Sequence, residues 1–331
     1  VGMSLPAVFG TDVPKGNYAD LTTKGFELSV SWRDQFQLAS KPFNYEVRFT
    51  LADYQSTIDK YNNPEKKLGD DYYYEGMKVG EIWGYETEGF FTSQADIDSH
   101  AKQPYFYAGA TAGQWLPGDI KFKDLNGDGV IDYGNNTVDN PGDQKIIGNS
   151  EPRFIYGINL SGDWNNFFVS AFFQGVGKQD WWPGSEASYF WGMYNRPYND
   201  MPKSHLGNIW TEENPNTYFP RLRGYSSEEP YAELNLKQTR YLQNIAYIRM
   251  KNIQLGYTLP KSFISKLRMQ NAKVYVSGEN LWSWSPFYKY SKDLDVEAVR
   301  GSDRDLTEGT SGNGYSYPIL KSVSFGLSVT F

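Results

Sequence analysis

The chain has 331 residues, and its 39 acidic and 32 basic side chains leave a net charge of −7. This acidic balance argues against nucleic acid as a partner, because binding a phosphate backbone needs concentrated lysine and arginine. The sequence contains no cysteine, which excludes a disulfide framework, a thiolate zinc site and a cysteine nucleophile. No stretch approaches the ~18 uninterrupted apolar residues that a membrane-crossing helix needs.

Seven segments alternate apolar and polar residues with the period of two that is typical of β-strands. From Phe26 to Trp32 every even residue is apolar, and from Val323 to Phe331 every odd residue is apolar while the even ones are small and polar. The predicted strands lie near residues 26–34, 43–54, 153–163, 167–177, 245–259, 272–284 and 319–331.

The connections between these strands alternate in length. The short ones are 35–42, 164–166 and 260–271, and the long ones, which we expect to be structureless apart from short strand-like pieces, are 55–152, 178–240 and 285–318. Outer-membrane β-barrels show this rhythm, with short periplasmic turns and long extracellular loops, whereas a β-sandwich rarely carries three such loops. The sequence therefore predicts an all-β, antiparallel transmembrane β-barrel.

The polar faces of the first two strands carry Glu27, Glu46 and Arg48. A globular core would not tolerate these charges, but the wet lumen of a barrel would. An odd number of strands cannot close a bacterial barrel, so we expect the chain to be the C-terminal part of a larger one. The last strand should then pair with 272–284 on one side and with the first strand of the barrel on the other.

A metal-binding loop is predicted at DLNGDGVID. Oxygen ligands fall at positions 1, 3, 5, 7 and 9 of a calcium-loop template, with Gly129 at the sharp turn and the main-chain carbonyl of Val130 at position 7. Position 12 is Asn135 instead of glutamate, so Asp139 or Asp143 would have to complete the shell. The alternative is a turn whose side chains bond to its own amides. The predicted Ca²⁺ ligands are Asp124, Asn126, Asp128, Val130 and Asp132.

The second long connection is rich in aromatic residues, in a chain that is 17% aromatic. These side chains are candidates for contact with a substrate or with a lid protein, and the alternatives are packing within the loop or a position at the membrane interface. The residues are Trp181, Trp182, Tyr189, Trp191 and Tyr194. Strand aromatics such as Trp32, Phe325 and Phe331 are instead expected to face lipid. His100 and His205 lie in polar stretches without a catalytic motif, so an enzyme is not expected.

Six segments resemble SusC/RagA-type TonB-linked outer-membrane proteins, and the matches span about Leu5 to Phe331 in consistent order. They are PGDIKFKDLNGDGVID (117–132), EPRFIYGINLSGDW (151–164), FFVSAFFQGVG (167–177), WTEENPNTYFPRL (210–222), YIRMKNIQLGYTLPKSFISKLRMQNAKVYVSGENLWSW (247–284) and SFGLSVTF (324–331).

The resemblance implies a 22-stranded barrel in the outer membrane of a Gram-negative bacterium, with an N-terminal plug and energy supplied by the TonB complex. It implies import of oligosaccharides or peptides together with a SusD-like surface lipoprotein. The plug and the first part of the barrel are expected to lie outside this chain. The alternative function is a secreted, calcium-stabilised β-domain that binds glycans through its loop aromatics. The two differ in whether the apolar strand faces meet lipid or a core.

Overall fold

The computed structural model describes residues 19–69, 72–104, 114–185, 187–196, 198–228, 232–299, 314 and 317–331. The part of the predicted resemblance that precedes residue 19 lies outside these residues. In chain order the strands are β1 (Asp20–Leu38), β2 (Lys41–Lys60), β3 (Glu81–Tyr85), β4 (Thr87–Phe90), β5 (Ile120–Phe122), β6 (Gln144–Asn149), β7 (Arg153–Trp164), β8 (Phe167–Lys178), β9 (Asp180–Trp181), β10 (Gln243–Asn244), β11 (Tyr247–Thr258), β12 (Asn271–Trp284) and β13 (Ser322–Thr330).

The helices are short: α1 (Gln94–Ser99), α2 (Ser188–Trp191) and α3 (Lys261–Ile264). Within the described ranges, no helix is long and apolar enough to cross a membrane. Ser93 caps α1, because its hydroxyl accepts a hydrogen bond from the amide of Asp96.

One antiparallel seven-stranded sheet, in the order β1-β2-β7-β8-β11-β12-β13, forms the frame of the chain. Each predicted strand overlaps one of these seven, which confirms the all-β antiparallel class. The predicted pairing of the last two strands is also confirmed, since Val274 on β12 lies opposite Leu327 on β13. Among the described residues β1 and β13 pair on one side only, so the sheet is open and not a closed barrel.

Two hairpins of the sheet end in two-residue turns. The predicted link 35–42 is shorter than expected, because β1 and β2 continue to a turn at Ala39 and Ser40, whose φ angles are 49° and 60°. The turn predicted at 164–166 has φ angles of 47° and 69° at Asn165 and Asn166. Positive φ at both central residues gives a turn whose twist matches that of the flanking strands.

The register gives the sheet one apolar and one polar face. On the apolar face, one row crosses all seven strands and consists of Phe36, Phe43, Trp164, Phe167, Tyr257, Val274 and Leu327. The next row, on the polar face, consists of Gln35, Asn44, Asp163, Phe168, Gly256, Tyr275 and Gly326. Side chains on the apolar face are open to the surroundings: Phe325 is 83% exposed, Leu327 66% and Trp32 62%. An apolar surface this large on a soluble monomer would be unusual.

The main hydrophobic core lies beside the sheet, in what we call the loop layer: the described parts of the long connections 61–152, 179–246 and 285–321. Its core combines side chains from all three connections, including Phe122, Trp191 and Phe287. The Phe287 ring lies 5.9 Å from that of Trp181 and 6.4 Å from that of Phe190. The expectation of structureless long loops is therefore wrong. Their core is assembled from residues far apart in sequence, which leave little local pattern.

Candidate functional site

The aspartate-rich segment 124–132 is a tight loop held by its own side chains. Asp124 accepts hydrogen bonds from the amides of Gly127 at 2.6 Å and Gly129 at 2.9 Å. These bonds, that of Gly129 foremost, hold the pKa of Asp124 below its usual range. Asn126 accepts from the amide of Asp128 at 2.9 Å, and Asp128 accepts from that of Val130 at 2.8 Å.

Asp139 and Asp143, the two candidates for completing the metal shell, already interact with other groups of the protein. Asp143 is buried and accepts hydrogen bonds from the amides of Leu125 at 2.7 Å and Asp132 at 2.8 Å. Asp139 pairs with Lys66 at 3.2 Å. In the part of the chain that the structure describes, no group of three acidic or histidine side chains is arranged to hold a metal ion. The hydrogen bonds within 124–132 match the alternative interpretation, a turn whose side chains bond to its own amides. Calcium binding stays a prediction.

The five aromatic residues of the second connection are not all on one surface. Trp181, Trp191 and Tyr194 are buried in the core of the loop layer. The indole N–H of Trp191 donates to the carbonyl oxygens of Pro183 and Gly184, and the Tyr194 hydroxyl donates to that of Pro220. Packing within the loop accounts for these three. Trp182 is half-buried and Tyr189 is 55% exposed, so contact with a substrate or lid stays a prediction for these two.

A buried ion pair joins the first two connections. Arg223 donates to both carboxylate oxygens of Asp119, at 2.7 Å from Nε and 2.5 Å from Nη2. Glu233 is buried beside this pair and accepts a hydrogen bond from the amide of Ile120 at 2.7 Å. Its second carboxylate oxygen, Oε1, is buried and has no hydrogen-bond partner among the residues that the structure describes. Burial, with the Asp119 carboxylate nearby, raises the pKa of Glu233 well above its usual range.

A second charged cluster ties the third connection to the polar face of the sheet. Arg249 on β11 lies 2.5 Å from Asp295 and 3.0 Å from Glu297, and Glu297 lies 2.7 Å from Lys251. The three long connections are therefore linked to one another and to the sheet. A cavity of about 920 Å³ lies under this connection, next to Arg249, Trp284 and Tyr288.

A second concavity, the aromatic cleft, lies between the first and second connections and measures about 420 Å³. Its walls include Tyr72, Trp83 and Tyr133, together with the carboxamides of Asn136 and Asn235. Sequence reasoning missed these residues. The only signal for them was the overall excess of Tyr and Trp, since they are scattered over more than one segment.

The comparisons with known proteins agree with each other. The TonB-dependent receptors P3 and P26 of Formosa agariphila are each 26% identical to the chain, over 345 and 346 residues, and each match covers 99% of it. The RagAB peptide importer in its open-open state has a TM-score of 0.65 at 18% identity and covers 100% of the chain. The importer in its closed-closed state gives a TM-score of 0.64 at 16% identity. No protein-family model matches the chain.

The chain spans about a third of each relative, namely 30% of receptor P3, 31% of receptor P26 and 31% of the RagAB chain. These similarities confirm the resemblance predicted from the sequence. Over nearly its whole length, the chain is similar to a portion of a SusC/RagA-type TonB-dependent transporter. The relatives are named TonB-dependent receptors, and the solved structures are named peptide importers.

Proposed function

We propose that the chain is part of the barrel of a SusC-like TonB-dependent transporter in the outer membrane of a Gram-negative bacterium. The transporter imports oligosaccharides or peptides with a SusD-like surface lipoprotein over its mouth and the TonB complex as its energy source. The observation that carries this proposal is the sheet, whose apolar face is exposed although the chain has a well-packed core elsewhere. Lipid is the environment that such a face requires.

The dimensions of the apolar face support the membrane assignment. On β11 it runs from Tyr257, near the short turns, to Ile248, near the loop layer, nine residues away. At about 3.3 Å per residue and a strand tilt of about 40°, this distance is roughly 23 Å along the membrane normal, close to the ~25 Å apolar band of outer-membrane barrels. Trp282 and Trp284 border the loop end, as interfacial aromatics do.

In this proposal, the unpaired edges of β1 and β13 continue into the remaining strands of the same barrel. The polar face lines the lumen, and the loop layer lies on the extracellular side, over the mouth. The secreted β-domain is the weaker hypothesis, because it requires the apolar rows to form a core, and they are exposed.

Cell fractionation and uptake measurements test this proposal. The full-length protein should sediment with outer membranes and resist carbonate extraction. Deleting the gene for this protein and deleting the tonB gene should each abolish uptake of the same oligosaccharide or peptide. Recovery of the protein in the soluble periplasmic or secreted fraction would contradict the proposal.

A further inference from the structure

We propose that the aromatic cleft is a binding site for an uncharged oligosaccharide, a site within the loop layer that adds to the transport proposal and rests on it. The cleft is lined by Tyr72, Trp83 and Tyr133, by further residues of β3 and by residues 235–237. Its volume of about 420 Å³ is in the range of small-ligand sites.

Two tyrosine rings form the rim of the cleft. Tyr72 is 46% exposed and Tyr133 is 37% exposed, so each presents part of its ring to solvent. The apolar C–H face of a pyranose packs against such rings, while its hydroxyl groups form hydrogen bonds with nearby polar side chains. Rigid tyrosine rings provide this contact area at a small cost in conformational entropy.

The ring of Trp83 is fixed before any ligand arrives. Its indole N–H donates to the hydroxyl of Tyr74 at 3.3 Å, and the Tyr74 hydroxyl donates to Glu81 at 2.5 Å. Tyr74 is itself buried in a small hydrophobic cluster with Ile58 and Met77. The indole is therefore held in one orientation, which reduces the entropic cost of stacking a sugar on it.

The segment that carries Tyr133 is also held in place. Asp143 N–H donates to the carbonyl oxygen of Asp132 at 2.9 Å, while the Asp143 carboxylate accepts from the amide of Asp132 at 2.8 Å. Gly134 and Gly142 have φ angles of 54° and 60°. They let the two sides of this loop approach so closely that a Cβ on either glycine would collide with the opposite side. The rim is thus anchored on both sides of Tyr133.

Among the described lining residues of the cleft, the charges of Glu81 and Lys237 balance, which favours an uncharged ligand over a ligand of either charge. The Glu81 carboxylate accepts one hydrogen bond at each oxygen, from the Tyr74 hydroxyl and from the amide of Lys78 at 3.1 Å. The other side-chain acceptors around the cleft include the carboxamides of Asn136, Gln144 and Asn235, which suit sugar hydroxyls.

Calorimetric titration of the full-length transporter in detergent tests this inference. The probes are maltohexaose, cellohexaose, laminarihexaose and xylohexaose, with tetra-alanine as the peptide comparison. We expect at least one hexasaccharide to bind, and the Kd for it to rise about tenfold in Tyr133→Ala and in Tyr72→Ala. Tyr133→Phe, which keeps the ring, should retain the wild-type Kd. Tyr198→Ala, which removes an exposed tyrosine outside the cleft, serves as the matched control.

Three results would overturn the inference: no binding of any of the four hexasaccharides, a Kd unchanged by both alanine substitutions, or a loss confined to tetra-alanine binding. Thermal unfolding of each variant, followed by circular dichroism, shows whether a loss of binding reflects loss of structure. TonB-dependent uptake of peptides without binding of any hexasaccharide would overturn the cleft assignment alone. The transport proposal would then stand.

Discussion

The ring of Tyr275 on β12 lies directly over Gly326 on β13 and occupies the position that a Cβ at residue 326 would take. Phe168 on β8 covers Gly256 on β11 in the same way. Both rings lie on the polar face, so an aromatic ring and a glycine of the neighbouring strand fit together at two places along one row. Glycine is required there because of space, not because of its backbone angles.

Gly326→Ala should therefore destabilise the pairing of β12 with β13. The added methyl group forces the Tyr275 ring off its position, and overpacking of this kind costs about 1–3 kcal/mol. The midpoint of thermal unfolding of the full-length protein, measured by the heat-dependent shift in gel mobility, should fall. Ser324→Ala, on the same face of β13, is the control, and an equal midpoint for the two variants would disprove the steric role.

Removing one partner of the buried ion pair between Asp119 and Arg223 should destabilise the protein far more than removing one partner of an exposed ion pair. Arg223→Met leaves the Asp119 carboxylate buried without its cation, which costs about 3–5 kcal/mol in comparable sites. Pulse proteolysis in urea should show cleavage of the loop layer at much lower denaturant. Lys66→Met, which removes the exposed pair with Asp139, should change stability by about 1 kcal/mol or less. Equal effects of the two variants would count against a structural role for the buried pair.

Glu233 predicts a distinct pH dependence. Its folded pKa is raised, so its stabilising contribution is complete below the unfolded value of about 4.3 and is lost as the pH rises toward the folded value. Glu233→Gln, which mimics the protonated acid, should be close to wild type at pH 5 and more stable than wild type at pH 8. The measurement is the difference in unfolding midpoint between the variant and the wild type, taken at each of the two pH values. A difference that does not change with pH would mean that Glu233 is not protonated in the fold.

Calcium binding at 124–132 predicts protection of that loop from proteases. Cleavage within the loop should be slower in calcium than in chelator, and Asp124→Ala combined with Asp128→Ala should remove the difference. The double substitution Glu212→Ala and Glu213→Ala, which removes the same charge from the second connection, should keep it. Equal cleavage rates of the wild type in calcium and chelator would exclude a calcium site and leave the self-bonded turn.

The sheet was predictable from sequence because most of its strands alternate apolar and polar residues, as in the segment from Val323 to Phe331, and because short connections join the strands of each hairpin. The loop layer was not, because its contacts are between connections. Phe287 packs on Trp181 more than a hundred residues earlier, and nothing in the local sequence of either residue indicates the other. For the same reason Trp191 and Tyr194 resembled exposed stacking residues in a polar stretch, although both are fully buried. The cleft was missed because Trp83 and Tyr133 meet only after the first connection folds.

A transmembrane barrel requires the apolar face of the sheet to meet lipid and the polar face to meet water. Val169 and Ser170 are neighbours on β8, in the middle of the sheet, and lie on opposite faces. Because the chain has no cysteine, Val169→Cys and Ser170→Cys can each carry one spin label in the full-length protein, provided that the remainder of that protein is also cysteine-free. In lipid vesicles, oxygen concentrates in the bilayer and should accelerate the relaxation of the label at 169 more than that of the label at 170. A water-soluble nickel chelate should accelerate the relaxation of the label at 170 more. Equal access of the nickel chelate to both labels would contradict the account.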